Sequence, residues 1–600
     1  MDNKLLFKFC KDLGCCDACC FRYMGYKKPN VYESVKQFAE EYQDSKKSDA
    51  SFLDNKDTNQ ENNVKTDVEP INVKHNQTKV ELNSENGPAL SMDVDDSNEC
   101  KDVKVDLNIK NSTENSNKSE KTISENIPES QILNENNEEV KSINEVTPPC
   151  KKRRLDVCVS CLGVLQEEFW DDTIIMIKDM LEKKGYECKT YTCGLSAPIS
   201  TILREKIITL KIADSFSDYD PNTYTQLKDA WKMSFRQRVG GHIDKTFETD
   251  SPLLIMVHLD YPDDLQELEV LKKVSPYLFK NRSKYKRRFP TEFTRQSVEQ
   301  SLEDATLATL MSSGAQLTAH GHAQCVSVVC AHAPAYLGGR YIKLNRNLPQ
   351  SPWILEGRRV LPTSVQEIIF EPLAKLLKLS DTDVESRLKF IAAGREDVDV
   401  RCLGDGRPFA IEISDPIRQL TREELEEACR VISKSGDVSV ESLTYLCKDD
   451  LIQLKKGEET KCKTYEALCI KLTRSKFDED TPDPVKVTEK DIDYINSYRN
   501  TDPSDPARVN ITQKTPIRVL HRRPLLARTR QILDLQARLV PDYPQLFLLT
   551  VRTSAGTYVK EWVHGELSRS SPSLSHALDA DIDLLALDVT EVHLQWPPNK

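Results

Sequence analysis

The sequence predicts an α/β (α+β) protein of two folded lobes, the first interrupted by a long acidic insert. Three observations carry that prediction. Strand-like apolar runs alternate with amphipathic helical runs through most of the chain. Two Cys-x-x-Cys pairs, Cys16–Cys19 and Cys158–Cys161, stand on either side of an aromatic-poor segment. The stretch AAGREDVDVRCLGDGRPFAIEISDP (392–416) crowds Arg395, Glu396, Asp397, Asp399 and Arg401 ahead of two glycines and an apolar strand. The boundaries expected are 1–44 with 151–335 for an accessory lobe, 45–150 for the insert and 336–600 for a second lobe.

The insert explains the overall charge. The chain carries a formal −12, and residues 45–150 alone hold 12 Lys+Arg and 22 Asp+Glu, a net of −10. Their one aromatic residue is Phe52. Such a segment cannot bury enough apolar surface to offset its chain entropy, so it is expected to be disordered. The remainder is close to neutral, 38% hydrophobic residues suit a soluble protein, and no run of eighteen apolar residues suggests a membrane span. The opening MDNKLLFKFCKDLGCC lacks the apolar core of a signal peptide, so an intracellular setting is expected, with eighteen cysteines as thiols or metal ligands. Lys151, Lys152, Arg153 and Arg154 read as an import signal, implying nucleus as well as cytoplasm.

Each Cys-x-x-Cys pair can place two thiolates on one tetrahedral zinc. The excursion between the pairs is tolerable because loop closure costs only about 0.6 kcal/mol per doubling of length. Cys16, Cys19, Cys158 and Cys161 are the expected ligands, with Cys10, Cys15 and Cys20 crowding the first pair. A second cluster, His320, His322, Cys325, Cys330 and His332, flanks Val326, Val328 and Val329 and reads instead as a buried strand. EEFWDDTIIMIKDMLEKKG places Phe169, Trp170, Ile174, Ile177 and Leu181 at helical spacing, and SPLLIMVHLDY is strand-like, so the accessory lobe is α/β.

In the second lobe SVQEIIFEPLAKLLK (364–378) is an amphipathic helix. Alternation in 397–401 places Val398 and Val400 on one strand face and Asp397, Asp399 and Arg401 on the other. Gly404-Asp405-Gly406 then supplies a hairpin turn into Phe409, Ile411 and Ile413. The charged face is either a solvated edge with paired charges or an active-site carboxylate held by an arginine. KCKTYEALCIKL (461–472) is a strand with Tyr465 at its middle. LFLLTVRTSAGTYVKEWVHGEL (546–567) reads as strand, turn, then a second strand entering a helix.

Two acid-poor basic runs suit a phosphate backbone. KNRSKYKRRFPTEFTR (280–295) has seven Lys/Arg against one Glu, with Tyr285, Phe289 and Phe293 interleaved. Residues 507–530 carry Arg508, Lys514, Arg518, Arg522, Arg523, Arg528 and Arg530 and no acid.

Gly394-Arg395-Glu396-Asp397 resembles the G-R-x-D element of pseudouridine synthases. Ser554-Ala555-Gly556-Thr557-Tyr558-Val559-Lys560 resembles their S-x-G-T-Y-[IV]-[RK] element, and Tyr465 falls between the two in the order those enzymes use. The longer forms GREDVDVR, GRPFAIE, KTPIRVLHRRP and AGTYVKEWVHGE resemble the archaeal and eukaryotic tRNA pseudouridine synthase family called Pus ten, over about residues 1–44 and 151–600. The resemblance implies a zinc-bound, THUMP-type RNA-binding accessory domain and a catalytic domain with a mixed, largely antiparallel sheet. It implies an isomerase that turns uridine into pseudouridine in the TΨC arm of tRNA, at positions 54 and/or 55, with the accessory domain gripping the acceptor stem. Structural zinc is the implied metal, with no organic cofactor, and a monomer is expected. By the same resemblance Asp397 is the catalytic carboxylate, Lys560 its basic partner and Tyr465 the ring that stacks on the flipped base, while Arg395 holds the base's place or its phosphate. Arg340, Tyr341 and Lys343, with Arg518, Arg522 and Arg523, are the candidate tRNA contacts. THUMP methyltransferases and thiolases need a nucleotide-binding glycine loop, and none is found. The alternative is a non-catalytic protein that binds tRNA or small-RNA precursors.

Overall fold

The computed structural model describes residues 2–43, 156–499 and 509–598. The acidic insert, the basic cluster Lys151–Arg154 and Arg508 lie outside the described residues. Among the described residues no helix is long and apolar enough to cross a membrane.

The first lobe joins the N-terminal helices to an α/β layer. Helix Asn3–Asp12 starts at Asp2, whose carboxylate accepts from the Lys4 amide, and it buries Leu6, Phe7 and Cys10. Four strands follow: β1 (Thr190–Ser196), β2 (Thr246–Phe247), β3 (Leu253–Asp260) and β4 (Gln324–His332), in the order β2-β1-β3-β4. The β1 pairings are parallel and β3–β4 is antiparallel. Helix Asp171–Lys184 buries Ile174, Ile177 and Leu181 and ends at Gly185. The spacing overextended this helix by a turn: Phe169 sits in a separate 3₁₀ turn, and Trp170 caps the helix with its indole donating to the Val164 carbonyl. The valine run also differs from expectation. Val328 is buried on one face of β4, while Val329 on the opposite face and Val326, in the register shift between Cys325 and Ser327, are exposed. His322 stacks on Phe169 with ring centroids 4.2 Å apart.

Only Ala333 and Pro334 separate β4 from β5 (Ala335–Lys343), which begins the second lobe. A small hairpin, β6 (Ile354–Leu355) with β7 (Arg358–Arg359), follows, then helix Val365–Leu376. The main sheet adds β8 (Leu388–Ala392), β9 (Arg401–Ile413), β10 (Val438–Leu446), β11 (Lys463–Lys471), β12 (Val509–Lys514), β13 (Ala527–Leu539), β14 (Leu546–Thr553), β15 (Ser570–Ser571) and β16 (Ile582–Val592). Its ten strands run β10-β5-β9-β16-β11-β14-β13-β12-β15, with β8 also on β9. Every pairing is antiparallel except β9–β16, where Asp588 meets Arg401 and Val589 meets Cys402. The sheet is thus mixed and largely antiparallel. Period-two alternation places Tyr465, Ala467 and Cys469 of β11 beside Phe547, Leu549 and Val551 of β14 in one core.

The charged stretch folds differently from the expected hairpin. Residues 393–400 are a loop between β8 and β9, so Asp397, Asp399 and Arg401 do not share a strand face. Gly404-Asp405-Gly406 makes no turn; it lies inside β9 as an irregularity in the pairing with β5, between Cys402 opposite Lys343 and Arg407 opposite Tyr341, and beyond the last residues paired with β16. Gly404 (φ +59°) and Gly406 (φ +79°) take backbone conformations that side chains disfavour. A Cβ on Gly404 would run into the Thr590 carbonyl, and one on Gly406 would lie 2.6 Å from the Tyr341 oxygen. Glycine is needed there for close approach of neighbouring strands. The second strand expected after Ser554-Ala555-Gly556 is also absent: the chain passes from that turn directly into helix Val559–His564.

Candidate active site

The loop carrying Asp397 is tied down from beneath. The Lys343 ammonium, at the end of β5, donates to the carbonyls of Leu348 (2.7 Å), Val398 (2.8 Å) and Asp397 (3.2 Å). Gln350 Nε2 donates to the Gly394 carbonyl (3.0 Å) and to the Tyr341 hydroxyl (2.8 Å), and Tyr341 in turn donates to Glu396 (2.9 Å). Glu396 Oε2 lies 2.7 Å from Arg407 Nε, with neither side chain meaningfully exposed. Arg407 Nη1 also donates to the Ala393 carbonyl. Burial opposes the Arg407 charge, but Glu396, with Cys402, Tyr341 and Tyr465 adding to it, raises the guanidinium pKa overall.

Above this base Asp397 faces outward, its side chain 32% exposed. Its Oδ2 lies 2.9 Å from Arg518 Nη1 and 3.7 Å from Lys560 Nζ. Lys560 makes its closer contacts to Asp399, at 2.6 and 2.8 Å. Burial works against the Asp399 charge, yet the hydrogen bond and charge of Lys560, with the Asp399 backbone amide and Arg518 adding, lower its pKa overall. Arg518 also reaches Glu561 (2.6 Å), and the two carboxylates raise its pKa against its own desolvation. Lys560 and Glu561 stand in the first turn of helix Val559–His564.

Tyr465 comes from the middle of β11 and is buried; desolvation pushes its hydroxyl up to about 12. Asp397, Tyr465, Lys463, Arg518, Lys560 and Leu587 all line one cavity of about 410 Å³. Arg395 is exposed on its wall, and Arg522 and Arg523 reach it from the loop before β13. The structure therefore brings Asp397, Arg395, Tyr465 and Lys560 together. Arg518, expected on the tRNA backbone, is instead the direct partner of Asp397, and Lys560 bridges Asp397 and Asp399.

Three expected tRNA contacts are corrected. β5 lies between β10 and β9, so Tyr341 and Lys343 are fully buried, and both support the Asp397 loop instead. Arg340 directs its guanidinium to four main-chain carbonyls, of Asp405, Gly406, Val592 and Leu594. Of the run 280–295, Phe293 is buried and Phe289 lies under Arg282 at 4.6 Å, while Tyr285 remains exposed. Sequence reasoning missed the Glu396–Arg407 pair, the Lys343 anchor and Lys463. The period-two spacing of Lys463 from Tyr465 was the one available signal.

The four predicted thiols meet. Cys16, Cys19, Cys158 and Cys161 place their sulfurs within 4.8 Å of one another, with Cys16 Sγ 3.8 Å from Cys161 Sγ. A ZnS₄ tetrahedron with bonds of about 2.3 Å has edges of about 3.8 Å, so the set fits a metal ion of that kind. Two donors point at the sulfurs: the Cys16 amide at Cys158 (3.2 Å) and Arg22 Nη1 at Cys19 (3.5 Å).

The family model described as "Pus10, C-terminal" matches residues 336–593, and "Eukaryotic Pus10, N-terminal" matches 158–326. The tRNA pseudouridine synthase Pus10 of Homo sapiens is 32% identical over 475 residues, 78% of this chain and 84% of that one. The protein of the same name from Methanocaldococcus jannaschii is 33% identical over 272 residues, 43% of this chain and 53% of that one. A solved Cbf5-Nop10-Gar1 complex aligns at 17% identity over 42% of this chain and 58% of that one, with a TM-score of 0.20.

Proposed function

This chain belongs to the Pus10 family and is a pseudouridine synthase; on that premise we propose that it isomerises uridine in the TΨC arm of tRNA, with Asp397 as its catalytic carboxylate. The observation that carries the reading is the placement of Asp397 between two cations, Arg518 at 2.9 Å and Lys560 at 3.7 Å, in a cavity also lined by Tyr465. A cavity of about 410 Å³ suits a single flipped nucleotide. Chemistry on the base requires that it leave the stack.

The reaction breaks the C1′–N1 bond and makes a C1′–C5 bond with no net redox change. Asp397 is the carboxylate that promotes glycosidic cleavage, and Arg518 and Lys560 lie beside its outer oxygen. Tyr465 offers its ring to the flipped uracil. Lys560 and Arg518 keep the carboxylate oriented, and Arg395, Arg522 and Arg523 meet the phosphates around the flipped nucleotide. Support for tRNA comes from the relatives' names and from the basic rim of the cavity. The first lobe, with the exposed cations of 280–295, grips the acceptor stem as a THUMP-type module. A structural zinc on Cys16, Cys19, Cys158 and Cys161 ties the N-terminal helices to that lobe.

Pseudouridine mapping of unmodified tRNA transcripts, incubated with wild type and with Asp397→Asn, tests the reading. Wild type is expected to modify the T-loop with no added cofactor, while the variant binds tRNA and makes none. Equal modification by Asp397→Asn would remove Asp397 from the chemistry. Tight binding without pseudouridine from wild type would leave an RNA-binding protein.

A further inference from the structure

Uridine and pseudouridine contain the same atoms, but their protons differ. C5 loses a proton once it has bonded to C1′, and N1 gains one after losing C1′. A site that isomerises uridine therefore needs a group able to collect one proton and deliver one, within reach of the base.

Lys463 is placed for that work. It precedes Tyr465 by two residues on β11, so both side chains leave the same face of the strand and line the same cavity. Its Nζ rests against Gly394, the first residue of the Gly394–Asp397 motif; a Cβ there would lie 3.2 Å from the amine. Gly394 has no Cβ to fill that space, and its φ of +86° is one that side-chain-bearing residues disfavour. Among the described residues Lys463 makes no hydrogen bond or ion pair. Four neighbouring cations are engaged: Arg407 with Glu396, Arg518 with Asp397 and Glu561, Lys560 with Asp399, and Lys343 with three carbonyls; Arg395, Arg522 and Arg528 also line the cavity, but a guanidinium stays charged and cannot take up a proton.

We infer that Lys463 is the proton carrier of the isomerisation, a role that rests on this cavity being the uridine site. When C1′–N1 breaks, N1 keeps the bonding pair. When C5 bonds to C1′, the neutral Lys463 amine takes the C5 proton, and the C5–H pair restores the C5–C6 double bond. The resulting ammonium gives its proton to N1, and the amine returns to its starting state with nothing consumed.

The electrostatics agree. Burial and then the Arg407 guanidinium push the Lys463 amine down to about 7, with Lys461 acting in the same direction and Cys402 and Glu396 opposing. An amine half neutral at working pH is well matched to both taking and giving a proton. The rate should therefore rise with pH through about 7 as the neutral form fills.

The test compares wild type, Lys463→Gln and Lys463→Arg in single-turnover reactions on tRNA transcripts made with uridine or with 5-deuterouridine, across pH 5.5–9. Lys463→Arg keeps a long cationic side chain but cannot become neutral. Both variants are expected to bind tRNA as wild type does and to lose about 10²-fold or more in rate, the scale of a general base. Both should lose the rise near pH 7 and show a primary deuterium effect larger than that of wild type. Full activity in either variant, or a slower rate with wild-type pH profile and isotope effect, overturns the inference and leaves Lys463 a structural residue. Wild type that makes no pseudouridine overturns it together with the reading of the cavity, whereas active wild type with active variants sinks the Lys463 role alone.

Discussion

Glu396 stands one residue before Asp397 and points the opposite way, into a buried pair with Arg407. Such pairs contribute little net stability when intact, because desolvation of both charges offsets their attraction. Breaking one is costly, since the remaining charge has no solvent to turn to. Glu396→Ala should therefore destabilise the protein by about 3–5 kcal/mol, read by urea unfolding. It would also free the Tyr341 hydroxyl and loosen the floor of the Asp397 loop. A change under about 1 kcal/mol would mean that the pair does not hold that loop. At this scale the sequence was informative about identity and poor about direction. The G-R-x-D spacing marked Asp397, but the alternation of Asp397, Asp399 and Arg401 suggested a shared face that the loop does not have. Arg401 instead pairs with Asp588, across the β9–β16 seam.

Among the elements, β9 does most to position the site. One edge of it pairs with β5 on both sides of a register shift, while the other meets β16 at its first residues and β8 at its last, so it links the two halves of the sheet and carries Arg407 just past the shift. Gly406→Ala would need a left-handed backbone in a residue with a side chain, a cost of about 1–3 kcal/mol, and would press on the Tyr341 carbonyl as well. We expect it to lower both the melting temperature and the pseudouridine-forming rate. Asp405→Ala next to it, exposed and contributing only its carbonyl to Arg340, should stay within about 0.5 kcal/mol of wild type. Equal behaviour of the two variants would show that the register shift tolerates a side chain. Regular elements such as helix Val365–Leu376 and β11 were legible, because their period is written in consecutive side chains. The glycine-bearing register shift in β9 was not: a turn and a bulge use the same residues.

For the molecule as a whole, the four-thiol cluster joins segments that lie far apart in the chain. The N-terminal helices share one apolar core with the β1–β4 layer, and Cys16 and Cys19 face Cys158 and Cys161 within it. If zinc holds that junction, purified protein should release one zinc per chain to a strong chelator, with four newly reactive thiols and a lowered melting temperature. Intact stability after chelation, or no zinc released, would leave the cluster as packed thiols. The two lobes meet through polar groups gathered on Asp415, which accepts from the Tyr186 hydroxyl (2.6 Å), the His332 amide (2.7 Å) and Lys184 (3.2 Å).

What the sequence by itself determined was the set of chemical parts: the paired cysteines, Asp397, Tyr465 and Lys560 in their order, and the strands and helix around them. Those are local properties, carried by spacing and by alternation along a few residues. Only the tertiary structure decided which cation answers Asp397, that Lys463 lines its cavity, and which of the basic residues face inward. Arg518 reaches the aspartate from 121 positions away, and Lys343 turns out to be an anchor because β5 is enclosed by neighbours on both sides. Charge–charge pairing and burial depend on distance in space, and no one-dimensional pattern encodes that distance until the sheet has closed.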